Sequence, residues 1–96
     1  PWALAIILHA AHHDDESKAE LAKLDPDQTP FQIAEVHSMR GETDAAFEWL
    51  DRTNDRLDPA RIHTKESPFL RPLHSDPRWR PLLEKIGFPE MGTKAL

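Results

Sequence analysis

The sequence has no cysteine, three glycines and no long apolar run, and each shortage narrows what it does. Without cysteine there is neither a disulfide scaffold nor a thiolate zinc site. That fits a reducing compartment, and a cytoplasmic setting is expected. Gly41, Gly87 and Gly92 are not spaced as a phosphate-cradling loop, and no Gly-x-Ser-x-Gly elbow occurs. The longest apolar run, Trp2 to Leu8, falls well short of the ~20 residues that span a membrane. No basic segment precedes it, so no signal peptide is expected. Positive charge is scarce too. A formal net charge of -5 argues against a nucleic-acid backbone as partner. The first residue is Pro1 and not methionine, and the expectation is a fragment of something longer.

What is present is helical pattern. Ninety-six residues make one small domain. The clearest signal lies between Thr29 and Pro59. Thr29 suits an N-cap, Pro30 the first helical position, and Gln32 completes a capping box. Ile33, Ala34 and His37 recur at helical spacing beside Val36. Arg40 falls in the last turn, where a cation suits the dipole, and Gly41 ends the helix with positive φ. Thr43 is expected to cap a second helix. Its stripe is Ala46, Leu50, Thr53 and Leu57, flanked by Phe47 and Trp49. Asp58-Pro59 stops it.

A weaker copy precedes this unit. Residues 1–11 are apolar nearly all round, which suits a helix buried on more than one side. His12 to Asp15 is expected to turn, Ser17 to Leu24 to form a short helix, and Asp25 to Gln28 to end it. Ala5 and Leu8 stand where Ala34 and His37 stand later, an offset of 37 − 8 = 29. The missing length falls in the second helix of the first unit, and His12 takes the place of Gly41.

Small Ala34, bulky His37, turn Gly41, small Ala46, large Leu50 and closing Pro59 resemble a tetratricopeptide repeat. With the later run Ser75 to Gly87, the chain is similar to the C-terminal repeat regions of large bacterial proteins of that family, often fused to cyclase-like or DNA-binding domains. His37 departs from the tyrosine usual in that group. The resemblance implies an all-α fold: two antiparallel helix hairpins, at 1–26 and 27–59, then a loop and capping helix over 60–88, and a flexible tail over 89–96. In the loop, Phe69 and Leu70 are expected to lie on the preceding helices. Asp76 is expected to cap the last helix and Pro77 to start it, with Trp79, Leu82, Leu83 and Ile86 inward and Gly87 at its end. Pro81 then forces either a tight, kinked helix or a start at Pro81 itself.

Chemistry is thin. His9 and His13, four apart, have a spacing that can chelate a metal. The glutamate of a zinc-protease motif is replaced by Ala10. The favoured reading is a groove-facing His9 with His12 and His13 in a turn, and no metal or other cofactor is expected. Asp14, Asp15, Glu16 and Glu20 suit a helix start and solvation better than a catalytic pair. Arg71, His74, Arg78 and Arg80 around Trp79 suit a solvated cap better than an acidic partner. No nucleophile, base and oxyanion device stand together, so no enzyme is expected.

Stacked helix pairs expose a concave surface lined by the first helix of each pair. By the resemblance, its lining is Trp2, Ile6, His9, Phe31, Glu35, Ser38 and Met39, a patch suited to a peptide or helix. Two readings stay open. One is a protein–protein interaction module that binds a protein or peptide there. The other is a structural C-terminal cap of a longer array, its groove covered by the rest of the parent chain. A homodimer through the N-terminal helix is also expected, because Trp2, Leu4 and Ile6 would be bare.

Overall fold

The computed structural model describes residues 2–87. Phe88 and the expected tail at 89–96 lie outside the described residues. The fold is all-α, and among the described residues there is no strand. Its elements are α1 (Trp2–Ala10), α2 (Asp14–Ala22), α3 (Pro30–Met39), α4 (Thr43–Asp55), two 3₁₀ turns (Pro59–His63 and Pro68–Leu73) and α5 (Trp79–Ile86). α1 packs on α2, α3 on α4, and α1 on α3.

The two helix pairs are in register. α1 and α3 end at 10 and 39, and α2 and α4 begin at 14 and 43, so both steps are 29 residues. His12 (φ 67) and Gly41 (φ 78) both take the left-handed conformation that closes the first helix of each pair. At each site two carbonyls of the last turn are satisfied from the residues that follow. His12 and His13 donate to the carbonyls of His9 and Leu8; Gly41 and Glu42 donate to those of Ser38 and His37. Ala5 and Ala34, also 29 apart, are both fully buried. α2 is shorter than α4, which is where the missing length was expected.

Several local expectations need correction. α2 begins at Asp14, so Asp14 and Asp15 belong to its first turn and not to the preceding turn. Three acids there offset the positive end of the helix dipole, and no side chain caps it. The Thr29–Gln32 capping box does not form, because the Thr29 hydroxyl donates to the Asp25 carbonyl at 3.0 Å. Thr43 is the first residue of α4, not its cap. Leu57 is no part of the buried stripe: α4 ends at Asp55, and Leu57 (φ 55) is 68% exposed. α5 starts at Trp79, not Pro77. Pro81 is therefore its third residue, where the N–H has no partner within the helix anyway. That removes the conflict over Pro81.

The main core joins Phe31, Ala34, Ala46, Phe47 and Leu50 of the second pair to Leu70, Leu73, Trp79, Leu82 and Leu83. A smaller one joins Ala5, Ile6 and Val36 between α1 and α3, with Trp2, Leu21, Leu24 and Phe69 against it. The segment expected as a loop thus folds into two 3₁₀ turns. Asp58 accepts from Ala60 N–H and Ser67 from Phe69 N–H, each with a proline following the cap. Among the described residues no helix is long and apolar enough to cross a membrane.

Candidate functional site

The second 3₁₀ turn decides what becomes of the concave face. It packs on α3, with Leu70 and Leu73 fully buried. Phe69 meets Trp2 edge to face, with ring centroids 5.0 Å apart and planes at 81°. Ser67 Oγ donates to Glu35 Oε2 at 2.6 Å. The chain therefore covers much of the face that was expected to lie open. Burying two leucines and half of a phenylalanine outweighs leaving them in water, at roughly 1.5–3 kcal/mol per large apolar side chain.

The seven residues expected to line one open groove consequently separate. Ile6, Phe31, Glu35 and Ser38 are buried within the chain. Ile6 sits in the seam between α1 and α3. Ser38 is enclosed, its hydroxyl without a hydrogen-bond partner. Met39 faces solvent, and His9 is half-buried with Nδ1 3.4 Å from Asp14 Oδ1. Trp2, Phe31 and Glu35 do come together. They line a recess of about 550 Å³ whose other walls include His63, Ser67 and Phe69. Sequence reasoning missed those last residues as site components. The signal was present in Ser67-Pro68, which repeats the cap-then-proline order of Thr29-Pro30 and marks a helical turn.

The electrostatics centre on Glu35. It is 5% exposed, and burial raises its pKa against the lowering effects of Ser67 and nearby His63. His63 Nδ1 lies 3.2 Å from Glu66 Oε2 at the rim. The Ser67 hydroxyl is thus bonded to a carboxylate, while His63 is engaged by Glu66.

A second polar node fixes how the helix pairs meet. Arg40, expected to serve the dipole of α3, is instead buried. Its Nη1 lies 2.8 Å from both Ser17 Oγ and Asp14 Oδ1, and Nε lies 3.1 Å from Glu42 Oε1. Ser17 Oγ in turn donates to the Ala5 carbonyl at 2.6 Å. One guanidinium therefore ties α1, α2 and the α3–α4 turn together.

His9 and His13 do not share one helix. α1 ends at Ala10 and His12 reverses the chain before His13. His13 pairs with Glu16 at 3.0 Å. Among the described residues no group of three or more His, Asp or Glu is placed to hold a metal ion. Around Trp79, buried and stacked on His74 at 4.5 Å, Arg78 is held by Asp76 and Asp44. Comparison of the chain with protein-family models, curated proteins and solved structures gives no significant match.

Proposed function

We propose that the chain is a tetratricopeptide-like interaction module of a larger bacterial, cytoplasmic protein, and that it receives part of a partner protein or peptide in the recess beside Trp2. The observation that carries this reading is the recess itself. It is aromatic, open, and of a size typical for binding sites, at roughly 300–1,000 Å³. The 29-residue register of the helix pairs and the matched positive-φ positions His12 and Gly41 support the repeat assignment. Binding is favoured over catalysis because Ser67 has a carboxylate partner in place of an imidazole base. Selection of displayed peptides against the immobilised chain tests the reading. Selected peptides should compete with one another and perturb the Trp2 indole signal. Peptides that bind the chain with no effect on Trp2 would place the interaction elsewhere and refute the site.

One observation favours the alternative, a structural cap of a longer array. The outer face of α1 carries Leu4, 40% exposed, and Ile7, 61% exposed, among Ala3, Ala10 and Ala11. This corrects which residues are bare: Ile6 is buried, and Trp2 is half-covered by Phe69. A preceding repeat, or a second copy in a homodimer, would cover Leu4 and Ile7. Light scattering of the parent and of a Leu4→Lys, Ile7→Lys double variant tests this. A monomer in both cases would leave no role for that face in self-association.

A further inference from the structure

The recess holds more charge chemistry than apolar docking needs. Glu35 is almost wholly buried, yet it lines open space, and the basic side chain that shares the recess, His63, is paired with Glu66. Among the described residues, Ser67 Oγ on Oε2 is its one hydrogen-bond donor, and Oε1 has none. A buried carboxylate without a counter-charge is costly. Pinning the second 3₁₀ turn to α3 accounts for the Oε2 contact. It leaves Oε1, which is not enclosed, without a protein donor among the described residues at the wall of an open recess.

Three aromatic rings share that recess: Trp2, Phe31 and Phe69. Trp2 and Phe69 meet at 81°, so the ring that contributes its edge keeps its faces clear of the other. Aromatic faces carry negative charge density and attract cations. An anion would meet Glu35 and Glu66 and be repelled. A neutral apolar group would leave Glu35 unpaired. A bare metal ion would find no group of three or more His, Asp or Glu placed to hold it among the described residues. The group that satisfies both the rings and the carboxylate is a cation with an apolar skin.

We propose that the recess between Trp2, Phe31, Phe69 and Glu35 binds an alkylammonium group, primary or methylated. Glu35 supplies the counter-charge and the rings supply the apolar, electron-rich walls. The group comes from a lysine side chain of a partner, which rests on the interaction-module reading, or from a free amine, which does not.

The test uses the ¹⁵N-labelled chain, with the Trp2 indole signal assigned through Trp2→Phe. Four probes are titrated: butylammonium, tetramethylammonium, a short neutral-flanked lysine peptide, and the same peptide with norleucine in place of lysine. Sodium chloride controls for ionic strength. Saturable shifts with the ammonium probes and the lysine peptide, absent with norleucine and salt, support the proposal. Glu35→Gln keeps an acceptor for Ser67 and should weaken binding about tenfold or more, the scale of one charge-assisted hydrogen bond. The comparison of lysine with norleucine needs no variant, so a poorly folded Glu35→Gln leaves the proposal testable. Equal binding of the two peptides overturns the cation site and spares the module. Binding of free ammonium but of neither peptide supports the site and overturns a partner lysine as its source. Saltlike or no response to all four overturns the cation site and leaves the module to the peptide selection.

Discussion

Arg40→Leu is the substitution that most directly tests how the helix pairs are joined. The Arg40 side chain is 3% exposed and contacts Asp14, Ser17 and Glu42. Removing one partner of a buried ion pair costs ~3–5 kcal/mol when the deserted charge stays buried. Here it does not. The Asp14 and Glu42 side chains are 48% and 39% exposed, so both rehydrate once the guanidinium is gone. Ser17 keeps its bond to the Ala5 carbonyl. What is lost is a set of charge-assisted hydrogen bonds and the packing of the guanidinium. That places the cost of Arg40→Leu at about 2 kcal/mol, below the buried-pair range.

Urea unfolding followed by circular dichroism measures that cost. Arg40→Lys should recover only part of it, because an ammonium cannot fork to three partners at once. The gap between parent and variant should also depend on pH. Arg40 hydrogen bonds hold the Asp14 carboxyl below its ordinary range. Glu42 is pushed up by burial but drawn down further by Arg40 and His37, so it too ends low. Depressed carboxylates stabilise above their unfolded pKa and lose that stabilisation as pH falls through the folded value. The gap should therefore be full near neutrality and shrink in acid. A cost under about 0.5 kcal/mol, within the range of an ordinary surface change, would refute the node.

Three further substitutions address the backbone and core. Ala46 is fully buried in the core between α4 and its neighbours, and Ala46→Leu should cost ~1–3 kcal/mol by overpacking, read as a shift in denaturant midpoint. At Gly41 (φ 78) an added Cβ would meet nothing, so Gly41→Val should lose ~1–2 kcal/mol from backbone strain alone, measured by thermal melting. Leu57 (φ 55) is exposed and has the same left-handed conformation; Leu57→Gly should raise the melting midpoint, since relieved strain of ~1–2 kcal/mol exceeds the ~0.4–1 kcal/mol entropic cost of glycine.

The helix pairs were legible because their signals are local. Pro30 and Gly41 mark the limits of α3 chemically, and the spacing of Ala46, Leu50 and Thr53 gives the buried face of α4. The His12–Gly41 equivalence was legible from alignment of the two units, although histidine pays a steric cost at that φ. The recess was not legible as a whole. Glu35 and Ser67 are 32 positions apart, and nothing local tells that the 3₁₀ turn lies on α3 and not in solvent. Arg40 was misjudged for the same reason. A cation at a helix end has a sufficient local explanation, and only the tertiary fold shows that Asp14 and Ser17 surround it.

Glu35 gives the last prediction, because its pH dependence runs opposite to that of Asp14 and Glu42. Burial raises its folded pKa above the unfolded value, with Ser67 and His63 opposing. A group with a raised pKa favours the fold below its unfolded pKa and loses that advantage as pH rises through the folded value. For Glu35 this means that ionisation inside the fold is the costly step. Glu35→Gln removes that step while keeping an acceptor for Ser67. The variant should therefore match the parent in acid and become the more stable of the two as pH rises. The other titratable groups at the recess, His63 and Glu66, are present in both proteins, but the attraction of His63 for Glu35 is lost in the variant and forms part of the difference, opposing the effect of burial. Thermal melts of both proteins between about pH 4 and 8 measure it. Parallel curves, or a variant that weakens with rising pH, would show that Glu35 is not strained by burial. A bound ammonium should reverse the parent's trend. It favours ionised Glu35, so the stabilisation it confers must appear above the pKa of Glu35 and fade as pH falls through it.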